Sequence, residues 1–240
     1  MIIGSGFIAK NFKKKIILIK KYKIAIYASG ISNSKSTNKN NFLREKKKII
    51  SYKNKINSMI FIYISTCSIF DPSRKNTAYV KHKLNMENVV KKNFDKFVIV
   101  RFPEVVGFSN NKNTLINFFY QKIINDNKFT LWVNSRRNII DIDDAVKLFL
   151  NFIKKIKNYT KIKLEINIAN TMYLSVVSII NIIEKLTLKK AIYDKITFGN
   201  LNWKIKPLVS KRIIQMSSVS FNKYYLEKVL KKYYILSNDF

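Results

Sequence analysis

Tyr79 and Lys83 stand one helical turn apart in the segment T-A-Y-V-K-H-K-L. That i, i+4 spacing puts both side chains on one face of a helix. An ammonium beside a phenol favours the phenolate and lowers its pKa from an ordinary value of about 10. A tyrosine tuned in this way passes a proton to or from an alcohol or ketone near neutral pH. Lys81 also follows Tyr79, but only Lys83 has the required spacing. His82, the one histidine, points off that face and reads as a surface or packing residue.

Two further groups could join this pair. Ser65-Thr66-Cys67-Ser68 closes an apolar run, so its hydroxyls sit at a strand end, where open α/β sheets bind ligands. Cys67, the single cysteine, lacks a Cys–His arrangement to activate it and reads as a small packing residue. At the start of the chain, Gly4-Ser5-Gly6-Phe7-Ile8-Ala9 is a G-x-G-x-x-A pattern between a short apolar strand and a helix. Such glycines permit a tight turn and the close approach of a pyrophosphate to the free N–H groups of a helix start.

The elements that must position these groups alternate. Short apolar strands are expected at Ile2–Ile3, Lys23–Ala28, Met59–Ser65, Phe97–Phe102, Phe129–Val133 and Leu164–Ala169. Helices are expected at about Gly6–Lys20, Asn41–Lys55, Thr77–Lys92, Thr114–Ile124, from Asp141 or Asp143 to Lys155, Leu174–Leu188 and Tyr224–Tyr234. Alternation of this kind predicts an α/β protein with a Rossmann-like, doubly wound parallel sheet covered on both faces. Residues 1–170 would form the dinucleotide-binding domain, with a substrate-lobe insertion near 104–140. Residues 171–240 would form mainly a small C-terminal substrate lobe.

Composition narrows the partners. Lys and Arg number 46 against 14 Asp and Glu, a formal net charge of +32. The lysines are scattered rather than gathered in one arm, which reads as compositional bias more than as a nucleic-acid footprint. The apolar runs near Met59–Phe70 and Met172–Ile183 fall short of the roughly 20 residues of a membrane helix, so no membrane span is expected. The opening Met1-Ile2-Ile3-Gly4 does not look like a secretory leader, and a single cysteine fits a reducing compartment. A cytoplasmic location is therefore expected. Asp141, Asp143 and Asp144 precede an apolar helix and read as its cap and dipole partners, so no metal is expected.

The order of a glycine-rich turn, S-T-C-S-I-F, Y-V-K-H-K and R-F-P, followed by N-I-I-D-I-D-D-A and I-N-I-A-N, resembles the extended short-chain dehydrogenases/reductases. These include nucleotide-sugar epimerases, dehydratases and ketoreductases. The resemblance covers about residues 1–188 and implies a set of roles. Thr66, four residues before the aromatic of S-I-F, takes the place of the family's catalytic Ser/Thr. Tyr79 becomes the acid/base, and Lys83 holds the nicotinamide ribose. Gly4, Gly6, Phe7 and Ile8, then Ala28, Ser29 and Gly30, would contact the cofactor. Arg101, Arg136 and Arg137 are candidates to clamp a substrate diphosphate, since a guanidinium suits bidentate phosphate contacts. The implied partners are a nucleotide-sugar substrate and a second copy of the chain, paired through helices near 41–55 and 77–92. The implied role lies in making precursors of surface polysaccharides.

Three departures qualify the resemblance. Ala9 stands where the family usually has glycine, and Gly4-x-Gly6 is a narrower spacing. The stretch before Lys23–Ala28 is too short for the usual second and third strands. No acidic residue precedes Glu45, where a ribose-binding Asp or Glu is expected about 20 residues past the glycines. Lys20, Lys21 and Lys23 occupy that neighbourhood, which favours NADP over NAD. The same gap and the +32 charge motivate a rival reading, a non-catalytic dinucleotide- or nucleic-acid-binding protein on this scaffold.

Overall fold

The computed structural model describes residues 1–56, 58–109, 111–156, 161–205 and 211–235. β1 (Ile2–Ile3) leads through the glycine turn into α1 (Phe7–Lys13) and α2 (Ile16–Lys20). One helix is expected over Gly6–Lys20; it breaks between α1 and α2, beside the three adjacent like charges of Lys13–Lys15. β2 (Ile24–Tyr27), α3 (Lys39–Ser51), β3 (Ile60–Thr66), α4 (Ala78–Asn93) and β4 (Phe97–Phe102) follow. A 3-10 turn, Cys67–Phe70, joins the end of β3 to the loop before α4.

Beyond β4 come β5 (Glu104–Val106), α5 (Leu115–Ile124), β6 (Phe129–Trp132), β7 (Arg136–Arg137) and β8 (Ile139–Asp141). Next are α6 (Ile142–Ile156), β9 (Lys163–Asn167), β10 (Leu174–Ser175), α7 (Val176–Thr187) and β11 (Tyr193–Ile196). α8 (Lys211–Met216) and α9 (Tyr225–Leu230) close the described chain, α9 loosening into a π turn over Lys231–Ile235. The helix expected from Leu174 starts at Val176, because Leu174–Ser175 pairs with β7 and the Ser175 hydroxyl caps the helix at Ser178 N–H.

The central sheet is parallel, with strand order β1-β2-β3-β4-β9. Side chains alternate between its faces, as the two-residue period of a strand requires. Ile24, Ile26, Ile62, Val98 and Val100 point to a layer holding α1, α2, α5, α6 and α7. Ala25, Tyr27, Phe61, Tyr63 and Ile99 point to α3 and α4. Both faces are buried, so the strands read as apolar runs. In the strand order 3-2-1-4 of dinucleotide-binding sheets, strands two and three lie beyond strand one. Among the described residues nothing pairs beyond β1 here, and β1 is the sheet edge.

The short first connection has a topological consequence. β1, β2, β3 and β4 step across the sheet in one direction, yet α1 and α2 lie on the face opposite to α3 and α4. Crossovers that step the same way with helices on opposite faces have opposite hands. The β1–β2 connection is therefore of the hand opposite to the next two, against a strong general preference for one hand. Packing holds it there: Phe12 of α1 meets Phe149 of α6 edge-on at 5.0 Å, both rings fully buried.

The Asp141 cluster fastens the C-terminal segment. The Asp141 carboxylate accepts from Asp143 N–H at 2.8 Å, capping α6 as expected, and also accepts from Tyr233 Oη and Lys232 Nζ. Tyr225 Oη donates to Asp144 and accepts from Asp141 N–H. Among the described residues, no helix is long and apolar enough to cross a membrane, and no group of His, Cys, Asp and Glu could hold a metal ion.

Candidate active site

A cavity of about 420 Å³ opens at the C-terminal ends of β1–β4. Such a volume suits a small-molecule site. Thr66, Tyr79 and Lys83 all line it, brought together from a strand end and the first turn and a half of α4. α4 starts where it does because Thr77 caps it, its hydroxyl accepting from Val80 N–H at 3.3 Å. Gly6, Phe7, Ile8, Ala28 and Gly30 line the same cavity. Of the other expected cofactor residues, Gly4 and Ser29 do not. Gly4 shapes the turn instead: at φ +129° a Cβ there would meet the Ala28 carbonyl oxygen at 2.4 Å. The Ser29 hydroxyl accepts from Lys48 on an exposed surface. Lys20, Lys21 and Lys23 lie away from the cavity.

The electrostatics of Tyr79 differ from the expectation. Burial raises the phenol to about 12; the Thr66 hydroxyl, hydrogen-bonded to it, acts in the opposite sense, while the Glu104 carboxylate adds to the rise. The ammonium of Lys83 does not lower it, because Lys83 is turned to other partners. Its Nζ donates to Tyr63 Oη at 3.0 Å, to Glu45 Oε1 at 3.4 Å and to Ile64 O at 3.5 Å. Burial pulls Lys83 below its ordinary value, and Glu45 opposes that.

Glu45 is the charged partner of Lys83 that pattern reading missed. Burial pushes its carboxyl up, but Lys83, His82, Ile31 N–H and Tyr63 outweigh this and hold it at about 2. A signal existed: it is the chain's first acidic residue, and it lies on the apolar face of α3 with Phe42 and Ile49, at i−3 and i+4. His82 is a packing residue, as expected, but a polar one. It stacks on Phe42 with ring centroids 4.2 Å apart and shares a hydrogen bond with Glu45 Oε2 at 2.9 Å. Cys67 is buried with its Sγ on Arg101 O, and burial pushes its thiol far up, so it is inert.

Two of the candidate arginines part company. Arg101 stands outside the cavity. Its Nε and Nη2 grip the buried Glu87 carboxylate, and Nη2 also meets Glu165, so these donors are taken by the protein and the residue does not line the cavity. Arg137 lines the cavity, buried, with Asp71 Oδ2 3.6 Å from its Nη1 and with its Nε lacking a hydrogen-bond partner. Burial pulls its pKa down, with Glu104 and Asp71 opposing. Arg74 completes the charged wall, reaching Ser34 Oγ at 2.9 Å and Glu104 at 3.5 Å. Asn138 is pinned beside it, its side chain donating to Asn170 O and Met172 O and accepting from Asn170 N–H.

The residues present fit a nicotinamide dinucleotide. At Gly6 a Cβ would meet nothing within 4 Å, so the helix start faces open space. At Gly30 a Cβ would lie 2.6 Å from both Glu45 Oε1 and Lys83 Nζ, so only glycine lets the backbone lie against that pair.

Residues 21–169 match the family described as the NAD dependent epimerase/dehydratase family. Thr66, Tyr79, Lys83 and Arg137 fall inside the matched stretch, and the Gly4–Gly6 turn precedes it. No curated protein matches the chain. Solved structures similar to it include a UDP-galactose 4-epimerase, at 14% identity and TM-score 0.73, covering 100% of this chain and 99% of that one. UDP-N-acetylglucosamine 4-epimerase from Bacillus cereus aligns at 17% identity and TM-score 0.68, over 100% of this chain and 96% of that one. UDP-glucuronic acid 4-epimerase from Bacillus cereus, in complex with UDP-glucuronic acid and NAD, aligns at 17% identity and TM-score 0.68, over 93% and 78%.

Proposed function

The chain belongs to the NAD dependent epimerase/dehydratase family, and from that premise we propose that it transforms a nucleotide-activated sugar with a nicotinamide dinucleotide as redox partner. The observation that carries this reading is one cavity lined by Thr66, Tyr79, Lys83, the Gly6–Ile8 helix start and the buried cation Arg137. Similar folds hold UDP-sugars and NAD, which supports the same classes of ligand here.

In this reading Tyr79 is the acid/base. Raised to about 12, it is a neutral phenol at pH 7, ready to donate a proton to a sugar carbonyl oxygen. Thr66 hydrogen-bonds the phenol and favours the phenolate, which the reverse step needs. Lys83, a buried cation at the cavity floor, would hold the cofactor's ribose hydroxyls. Arg137, with an unpartnered Nε, would bind the diphosphate. The bound dinucleotide supplies hydride transfer, which no side chain can. Epimerisation is the reaction we favour within the family, in the making of surface-polysaccharide precursors. The dimer through α3 and α4 and the division into a dinucleotide domain and a substrate lobe belong to the same proposal.

The adenosine end decides between NAD and NADP. The preference for NADP rests on the place of Lys20, Lys21 and Lys23 in the sequence, but these lysines lie away from the cavity and give it no support there. A thermal-shift titration with NAD, NADP and a set of UDP-sugars tests both ligands, because a bound ligand raises apparent stability by mass action. Stabilisation by a dinucleotide and by a UDP-sugar supports the reading. No shift with any of them, or full turnover by Tyr79→Phe, refutes it.

A further inference from the structure

We propose that Glu45 is a positioning residue of this site, whose buried carboxylate holds Lys83 in place as a cation at the cavity floor. The proposal rests on the reading above for the task of Lys83, and on its own geometry for the rest. Four partners from three places, a loop, β3 and α4, converge on the Glu45 carboxylate: Ile31 N–H at 2.8 Å, Tyr63 Oη at 2.8 Å, His82 Nε2 at 2.9 Å and Lys83 Nζ at 3.4 Å. Fixed from every side, it cannot turn away. Tyr63 relays the contact, donating to Glu45 and accepting from Lys83.

A lysine this buried sheds its proton unless an anion stays beside it. Glu45 is the carboxylate within hydrogen-bond reach of Nζ among the described residues. The other charged or titratable groups facing Lys83 are Tyr63 on β3 and Tyr79, His82 and Glu87 on α4. Glu87 acts only at longer range and is already bonded to Arg101 and Ser65. Tyr63 is held far above its ordinary value by burial and by Glu45, so it stays neutral. The charge of Lys83 therefore depends on Glu45. The same carboxylate anchors Ile31, in the loop that borders the cavity, so lysine and loop share one support.

Two measurements test this. The first is the pH profile of kcat/KM in Glu45→Gln, which keeps the shape and removes the charge. The alkaline limb is expected to move toward acid by roughly 2 pH units, and Glu45→Asp to restore part of it. An unmoved limb overturns the proposal while leaving the enzymatic reading intact. The second needs no activity: a melting cycle with Glu45→Gln, Lys83→Met and the double variant, in the ligand-free protein. Glu45→Gln is expected to lower Tm in wild type but to cost no more than about 2 °C in the Lys83→Met background, since the cation it compensates is gone. Equal losses in both backgrounds overturn the proposal. Should Glu45→Gln fail to fold, a folded double variant supports it and an unfolded one refutes it. A wild type without turnover on any UDP-sugar is a failure of the enzymatic reading, and the melting cycle still decides the role of Glu45.

Discussion

Glu45 and Glu87 are two buried carboxylates built to one plan, and only one of them serves the cavity. Each sits on a helix packed against the same sheet face, each accepts from a hydroxyl of β3 and each meets a cation. Glu45 takes Tyr63 and Lys83; Glu87 takes Ser65 and Arg101. The difference lies in the cation. Arg101 is a planar fork that matches Glu87 with two bonds and adds Glu165, which raises its pKa against the pull of burial. It needs nothing more and faces no ligand. Lys83 is a point charge with long contacts, pulled down by burial, and it lines the cavity. One plan thus yields a clamp where the guanidinium lies outside the cavity and a tuned group where the ammonium lines it.

The comparison can be broken most sharply by removing the cations in turn. Lys83→Met is expected to weaken dinucleotide binding by about 10- to 100-fold, the loss of a hydrogen bond from a charged group, with a smaller loss of stability because Ile31 N–H, Tyr63 and His82 still hold Glu45. Arg101→Met is expected to do the reverse, costing about 3–5 kcal/mol in urea denaturation by stranding Glu87, while the folded protein keeps its dinucleotide thermal shift. If the two variants lose dinucleotide binding and stability alike, the distinction between clamp and tuned group fails.

Acid titration gives the next effect. Glu45 is near 2 in the folded chain against 4.5 for a free side chain, so its contribution is present above about pH 4.5 and is lost as pH falls toward 2. The size is about 3 kcal/mol, measurable as the acid dependence of unfolding. Glu45→Gln should flatten that part of the curve; an identical curve would remove Glu45 as its source.

Arg137 extends the comparison, as a buried guanidinium with its Nε unpartnered. Arg137→Lys should raise KM for the nucleotide sugar about tenfold and leave kcat nearly unchanged, because a lysine offers no fork to a diphosphate. The smallest effect belongs to Glu104→Gln. Removing that carboxylate should lower the Tyr79 pKa and move the kcat profile toward acid by less than about one unit. A shift toward alkali would reverse the assigned sign.

Much of this was legible in the chain. Strands and helices follow from short β-branched runs and i, i+4 apolar spacing, and their order predicts the parallel sheet. Thr66, Tyr79 and Lys83 were readable because their chemistry depends on local spacing: a strand end and one helical turn. Arg101 and Arg137 were not separable, since each is an arginine near an apolar run. What distinguishes them is whether Glu87 and Glu165, 14 residues before and 64 after Arg101, come within reach. The small strands β5, β7, β8, β10 and β11 were equally hidden, being two to four residues long and stabilised by partners distant in sequence.

The sequence by itself determined the class of sheet, the shortened first crossover and the residue types at the reactive end, because these depend on composition and on periods of two and four residues. The tertiary structure decided which charges meet. Lys83 finds Glu45, 38 residues away, and not the phenol one turn before it. Burial then turns that contact into the setting of its charge, since a dry site makes an ammonium depend on the nearest anion. No spacing along the chain encodes that distance; it exists only once α3 and α4 pack side by side against β3.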